Sequence, residues 1–248
     1  MLYSLLFFSF FRFAAAQSVD FYEASASKKV PILVFVHGGA WISGSKEQYK
    51  DLAKSLAQQN LCIAVTDYGL APAHSHPKPI DDLQTAIIKI EKLKSLKCDT
   101  QKIFLVGHSA GAHTIAFWST RFQDSYVKGL IGIEGIYDLP HLLQIWPSYK
   151  EAFINAEFGT KNDLALASPS RLKIKSKAPW LILHSAKDEL VDLAQADDFY
   201  QHLKAEGRTG EYLELKTESH FGIIESLGHR DSLALKKILA FIHQQTPF

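Results

Sequence analysis

Lys102-Ile103-Phe104-Leu105-Val106-Gly107-His108-Ser109-Ala110-Gly111-Ala112-His113-Thr114-Ile115-Ala116-Phe117-Trp118 decides how the rest of the chain is read. An apolar run is followed by a serine set between two glycines, and then by a helix-forming stretch. That is strand, sharp turn, helix. So tight a turn pushes the serine hydroxyl out above a sheet edge, and side chains in place of the glycines would clash with it. G-x-S-x-G alone is a weak signal, because small residues around a serine serve close helix–strand packing equally well. Its position at a strand-to-helix junction is what favours a nucleophile at Ser109.

Outward from this segment the chain alternates. Ile32 to Val36 is continuously apolar, as a strand buried on both faces should be. A helical segment runs from Lys46 to Gln59, and Cys62 to Thr66 is the next strand. Leu83, Ile87, Ile90 and Leu93 give helical spacing between Ile80 and Leu96, with Cys98 at that helix's end. Strands follow at Ile103 to Val106, Leu130 to Ile133, Trp180 to Leu183 and Tyr212 to Leu215. Helices follow at Ala110 to Arg121, Leu193 to Ala205 and Asp231 to His243. The pattern predicts an α/β fold, a mostly parallel sheet with helices on both faces and its site at the carboxyl ends of the strands. The stretch 138–178 is too long for a simple connection. Pro140, Trp146, Pro147, Tyr149 and Phe153 make it aromatic and turn-rich, and it reads as a cap facing the substrate or as a surface excursion.

The chain has 248 residues, 47% hydrophobic and 21% charged, with a net charge of +1. That suits one α/β core over 17–248, and without a basic stripe it argues against nucleic acid or an anionic membrane as partner. Residues 1–16 read in two ways. Leu2 to Phe11 with Ala14-Ala15-Ala16 resembles a secretory leader, yet Arg12 lies on the wrong side of the apolar run. A genuine leader makes the protein secreted. An artefact of gene assignment leaves it cytoplasmic. The apolar run is shorter than the roughly 20 residues that span a bilayer, so no integral span is expected. Cys62 and Cys98 are the only cysteines, and one pair does not define a disulfide framework.

Acyl transfer by serine needs a base, a carboxylate that orients it and donors for the oxyanion. Among eleven histidines, His220 follows a strand by a short polar loop and precedes a helix, late in the chain. His108, beside the serine, reads as structural. His74 and His76 form a His-x-His pair without a third ligand, so no metal is expected. Asp188 follows the strand Trp180 to Leu183, giving the order Ser109, Asp188, His220 expected for a G-x-S-x-G enzyme. Glu189 competes with it, and Asp192 reads as a helix cap. After Val36 comes His37-Gly38-Gly39-Ala40-Trp41, where the N–H groups of Gly38 and Gly39, with that of Ala110, can point at one oxygen.

These residues resemble the α/β-hydrolase superfamily. H-G-G-A-W at 37–41 is similar to the branch that holds carboxylesterases, hormone-sensitive-lipase-type enzymes and kynurenine formamidases. Asp67 to Pro72 resembles that branch's D-Y-R-L-A-P, followed by the acidic pair Asp81-Asp82. Gly107 to His113, Gly135 to Leu139 and His220 to Glu225 look most like formamidases. The resemblance implies the triad Ser109, Asp188, His220 and the oxyanion donors Gly38, Gly39, Ala110. It implies Ile32 to Val36 lying between the strands of Cys62 and Ser109, which would place the two cysteines poorly for a bridge. Gly69 stands where arginine is common, implying a looser loop, and Glu134 stands where formamidases often have serine. If the leader is genuine, only 17–29 remains for the amino-terminal strands: either the start is shortened, or the apolar leader belongs to an imperfect gene model.

The expected activity is therefore a cofactor-independent arylformamidase acting on a small molecule with an aromatic leaving group. Trp41, Tyr137 and Phe221 are candidate walls for that group, and Trp146 reads rather as core. A carboxylesterase for short acyl esters and a non-catalytic binding protein on the same scaffold are the alternatives.

Overall fold

The computed structural model describes residues 18–26 and 28–246, so the leader reading of 1–16 falls outside it. Seven strands form one sheet: β1 Val19–Tyr22, β2 Val30–Val36, β3 Cys62–Thr66, β4 Cys98–His108, β5 Val127–Ile133, β6 Trp180–Ser185 and β7 Gly210–Leu215. Their spatial order is β1-β3-β2-β4-β5-β6-β7. Only β1 runs antiparallel, against β3. This is the α/β-hydrolase fold, with one antiparallel strand, β1, at the amino-terminal side among the described residues.

Among the described residues eight helices accompany the strands: α1 Lys50–Ala57, α2 Lys78–Glu91, α3 Ala110–Arg121, α4 Leu139–Ile145, α5 Asn155–Phe158, α6 Ala194–Ala205, α7 Gly222–Ser226 and α8 Leu233–Gln245. Single-residue alternation along β2 divides the core in two. Ile32, Val34 and Val36 face the layer of α2, α3 and α6. Leu33 and Phe35 face α1 and α8. Both faces need apolar residues, which is why the strand reads as an unbroken hydrophobic run. Burying each such side chain contributes about 1.5–3 kcal/mol. Among the described residues no helix is long and apolar enough to cross a membrane.

Three expectations are corrected. First, Cys98 does not end a helix: α2 stops at Glu91, and Cys98 opens β4. Cys62 and Cys98 form a disulfide, with Cα atoms 5.9 Å apart. β2 does lie between their strands, but the register jumps from Pro31↔Asp99 to Ile32↔Ile103, which brings Cys98 in toward Cys62 at the amino end of the sheet. Second, the loop at Gly69 is tight. Gly69 donates its N–H to the buried Asp82 carboxylate at 2.9 Å, and a Cβ there would meet His74 Cβ at 2.5 Å. Lys78 supplies the charge that pairs with Asp82. Third, 138–178 is a packed, largely helical insertion. It holds α4, a π-helical turn running into α5, and two 3-10 turns, and it buries Leu139, Leu142, Ile154, Phe158 and Ile174 in the larger core cluster.

Candidate active site

Ser109 stands between the last residue of β4 and the first of α3, at φ 54° and ψ −119°. A non-glycine residue in this region is strained and persists only when its surroundings dictate it. Here they do. The Ser109 N–H is taken by the Ile133 carbonyl at 2.9 Å. A Cβ on Gly111 would lie 2.2 Å from the Val36 carbonyl oxygen, so only glycine lets the start of α3 close onto the end of β2. The Gly38–Gly39 loop is pressed against the same turn: a Cβ on Gly38 would meet His108 Nδ1 at 3.0 Å and Ser109 Cβ at 3.2 Å. Gly39, at φ +112°, turns the loop, and the N–H groups of Ile42 and Ser43 both return to its carbonyl.

His220 lies between β7 and α7, nearly fully buried. Its Nδ1 donates to Asp188 Oδ2 at 2.7 Å, which leaves Nε2 as the ring's free acceptor. Asp188 Oδ1 accepts the N–H groups of Leu190 and Val191 at 2.8 and 2.9 Å. Burial pushes the Asp188 carboxyl upward, but the hydrogen bonds from His220, Glu134 and Leu190 outweigh it and hold the group below its usual range. Glu189, the competitor, accepts the backbone N–H of His220 instead, at 3.2 Å. Asp192 does not cap a helix; its carboxylate pairs with His141 at 2.9 Å.

His108 joins the two halves. Its Nε2 donates to the His220 carbonyl at 3.0 Å, and the two rings lie 4.7 Å apart. Burial first, and His220 second, lower its pKa to about 3, so the ring is neutral, as a structural histidine requires. A second tether runs from Ser185 Oγ to the Glu218 carbonyl at 2.6 Å.

The three aromatic candidates separate. Phe221 is 56% exposed and sets its ring against His220 at 5.1 Å and His108 at 5.9 Å. Tyr137 is a core residue instead, stacked on Phe199 at 4.2 Å, with Gly132 and Gly135 making room for its hydroxyl. Trp41 is buried too, edge-on to His113 and Phe158 at 5.0 Å each, so it ties the Gly38–Gly39 loop to α3 and to the insertion. Trp146 is partly buried and stacks on Tyr149.

Two polar groups at this end of the sheet were not singled out as site residues. Glu134 and His184, at the carboxyl ends of β5 and β6, are fully buried beside Asp188. The visible signal was position: each is a polar residue directly after an apolar run, Leu130 to Ile133 or Trp180 to Leu183. Glu134, His184 and Asp188 bring three ligand-type atoms within 4.8 Å of one another, a geometry that could hold a cation. Their oxygens are already engaged by the Ser185, Leu190 and Val191 N–H groups and by His220, so the cluster reads as a hydrogen-bonded network.

Comparison with known proteins agrees with the fold. The chain is 27% identical to the kynurenine formamidase of Danio rerio, over 92% of this chain and 79% of that protein. It is 28% identical to the esterase LipC of Mycobacterium tuberculosis, over 88% of this chain and 59% of that one. Esterase B from Lactobacillus Rhamnosis superposes with a TM-score of 0.76 at 15% identity, covering 92% of this chain and 81% of that one, a likeness of fold. The BD-FAE family model matches residues 19–203. The chain is an α/β-hydrolase and belongs to the BD-FAE family.

Proposed function

We propose that the protein is a serine hydrolase that removes a small acyl group, with Ser109 as nucleophile, His220 as base and Asp188 as the carboxylate that orients it. The observation that carries this reading is the buried 2.7 Å hydrogen bond from His220 Nδ1 to Asp188, on a loop tied by His108 to the strained turn at Ser109. With Nδ1 protonated and donating, Nε2 is the basic nitrogen and takes the hydroxyl proton as Oγ attacks the carbonyl carbon. The N–H groups of Gly38, Gly39 and Ala110 receive the resulting oxyanion, with α3 adding the partial positive charge of its amino end. The tetrahedral intermediate collapses as His220 hands the proton to the leaving amine or alkoxide. Water then attacks the acyl-enzyme by the same path, and the acid product leaves with Ser109 restored.

The preferred substrate class is an aryl-formamide such as N-formylkynurenine. Support comes from the relatives of 26–28% identity named kynurenine formamidase in two fishes and two yeasts. A formyl group needs almost no acyl pocket, and the densely packed aromatics around Trp41 suit that. Phe221, exposed beside His220, is the aromatic surface offered to a leaving group. The second reading, a short-chain carboxylesterase, is favoured by the likeness to LipC. Steady-state kinetics on both substrates decide between them. We expect kcat/KM for N-formylkynurenine to exceed that for p-nitrophenyl acetate; the reverse preference replaces the formamidase reading with the esterase one.

A further inference from the structure

The reaction above leaves one buried acid unused. Glu134 follows β5 at φ 48°, in the left-handed region, with its carboxyl fully enclosed. The Ser185 N–H is shared between its two oxygens at 3.1 Å each. His184 Nε2, which bonds the Val191 carbonyl at 3.0 Å, lies 3.2 Å from Glu134 Oε2 and 3.5 Å from Asp188 Oδ2. Glu134 and Asp188 thus bring carboxyl oxygens to the same ring nitrogen, within 4.8 Å of each other. Glu189, Tyr137 and Tyr212 complete the titratable surroundings. Among the described residues neither acid has a lysine or arginine partner.

Counting donors places the proton. Two carboxylates this close repel unless one of them carries a proton, and a dry site magnifies the repulsion. His184 does not supply a positive charge, because burial lowers its pKa. Asp188 receives three other donors, from Leu190, Val191 and His220, whereas Glu134 receives one shared N–H and the edge of His184. The better-served carboxyl ionises, and the other keeps the hydrogen.

We propose that Glu134 is a positioning residue: it stays protonated and donates to Asp188, fixing that carboxylate against His220. The inference rests on reading Asp188 and His220 as the working acid–base pair. Burial first, and the neighbouring Asp188 next, push the Glu134 carboxyl far above the usual carboxylate range, in keeping with the donor count.

The test is the pH dependence of turnover for the full chain and two variants. Glu134→Leu removes the donor and leaves the Ser185 N–H unpaired; Glu134→Gln keeps a donor and an acceptor. Misplacing a reacting group by about 1 Å costs about 10²-fold, so Glu134→Leu is expected to lower kcat by that order with KM nearly unchanged. Glu134→Gln is expected to recover most of that loss and to leave the acidic midpoint of kcat/KM where the wild type has it. Were Glu134 ionised, glutamine would remove a negative charge near His220 and drop that midpoint by about one unit. Such a drop overturns the inference, as does unaltered kcat in Glu134→Leu or a glutamine variant as slow as the leucine one. Wild-type turnover that survives Ser109→Ala sinks the triad reading and this inference together; Ser109-dependent turnover with a shifted glutamine midpoint sinks the inference alone.

Discussion

Two buried polar regions, one at the ends of β5 and β6 and one under the insertion, are built on opposite principles. At the ends of β5 and β6, every carboxyl oxygen of Glu134 and Asp188 has a donor. Under the insertion, the other region is held by ring packing. Trp41, His76, His113 and Phe158 make edge and tilted ring contacts at 5.0–6.3 Å, while Trp41 Nε1, His113 Nδ1 and both Glu157 oxygens have no hydrogen-bond partner among the described residues. The first region spends its polar groups on fixing one geometry. The second uses apolar contact to clamp the insertion onto α3 and tolerates a costly acid in doing so. The difference predicts that substitutions in the first region cost rate, whereas relieving the second adds stability.

The largest effect separates the two. In Asp188→Asn the side chain keeps its shape, but its amide favours the tautomer of His220 that holds the proton on Nε2, where the base should be free. A loss of about 10⁴-fold in kcat is expected. Measured with N-formylkynurenine or p-nitrophenyl acetate, a loss under about tenfold would mean that the network does not serve the reaction.

A smaller effect, opposite in sign, sharpens the comparison. Burial pushes Glu157 up to about 9 from its ordinary 4.5. Above pH 4.5 the unfolded chain has released this proton and the folded chain has not, so the penalty on folding grows as pH rises toward 9. Glu157→Gln should therefore leave stability unchanged near pH 4 and raise it by roughly 2–3 kcal/mol at pH 7, with a larger gain at pH 8. Urea midpoints at those pH values give the answer. A constant or negative difference would show that Glu157 is better served in the fold than its surroundings imply.

How much of this could be read from the chain follows the range of the forces. The strand-turn-helix at Ser109 was legible because it is set by steric demands within a few residues, Gly111 against Val36 above all. The strand pattern was legible because both faces of β2 and β3 are buried. The disulfide was misread because a register jump at Pro31 and Ile32 leaves no mark in hydrophobic spacing. Tyr137 and Trp41 read as pocket walls in the sequence because an aromatic residue looks alike whether it lines a pocket or fills a core; the packing of α6 and the insertion decides which. The Glu134–Asp188 contact joins the ends of separate strands, and the protonation of a buried acid is a property of the assembled site.

The central claim is that one hydroxyl, at Ser109, is made nucleophilic by His220. A fluorophosphonate probe reads this directly. The account predicts stoichiometric labelling of the full chain at Ser109, abolished by Ser109→Ala and strongly slowed by His220→Ala. Failure of the unaltered protein to take the label, or labelling that persists without the Ser109 hydroxyl, would contradict it.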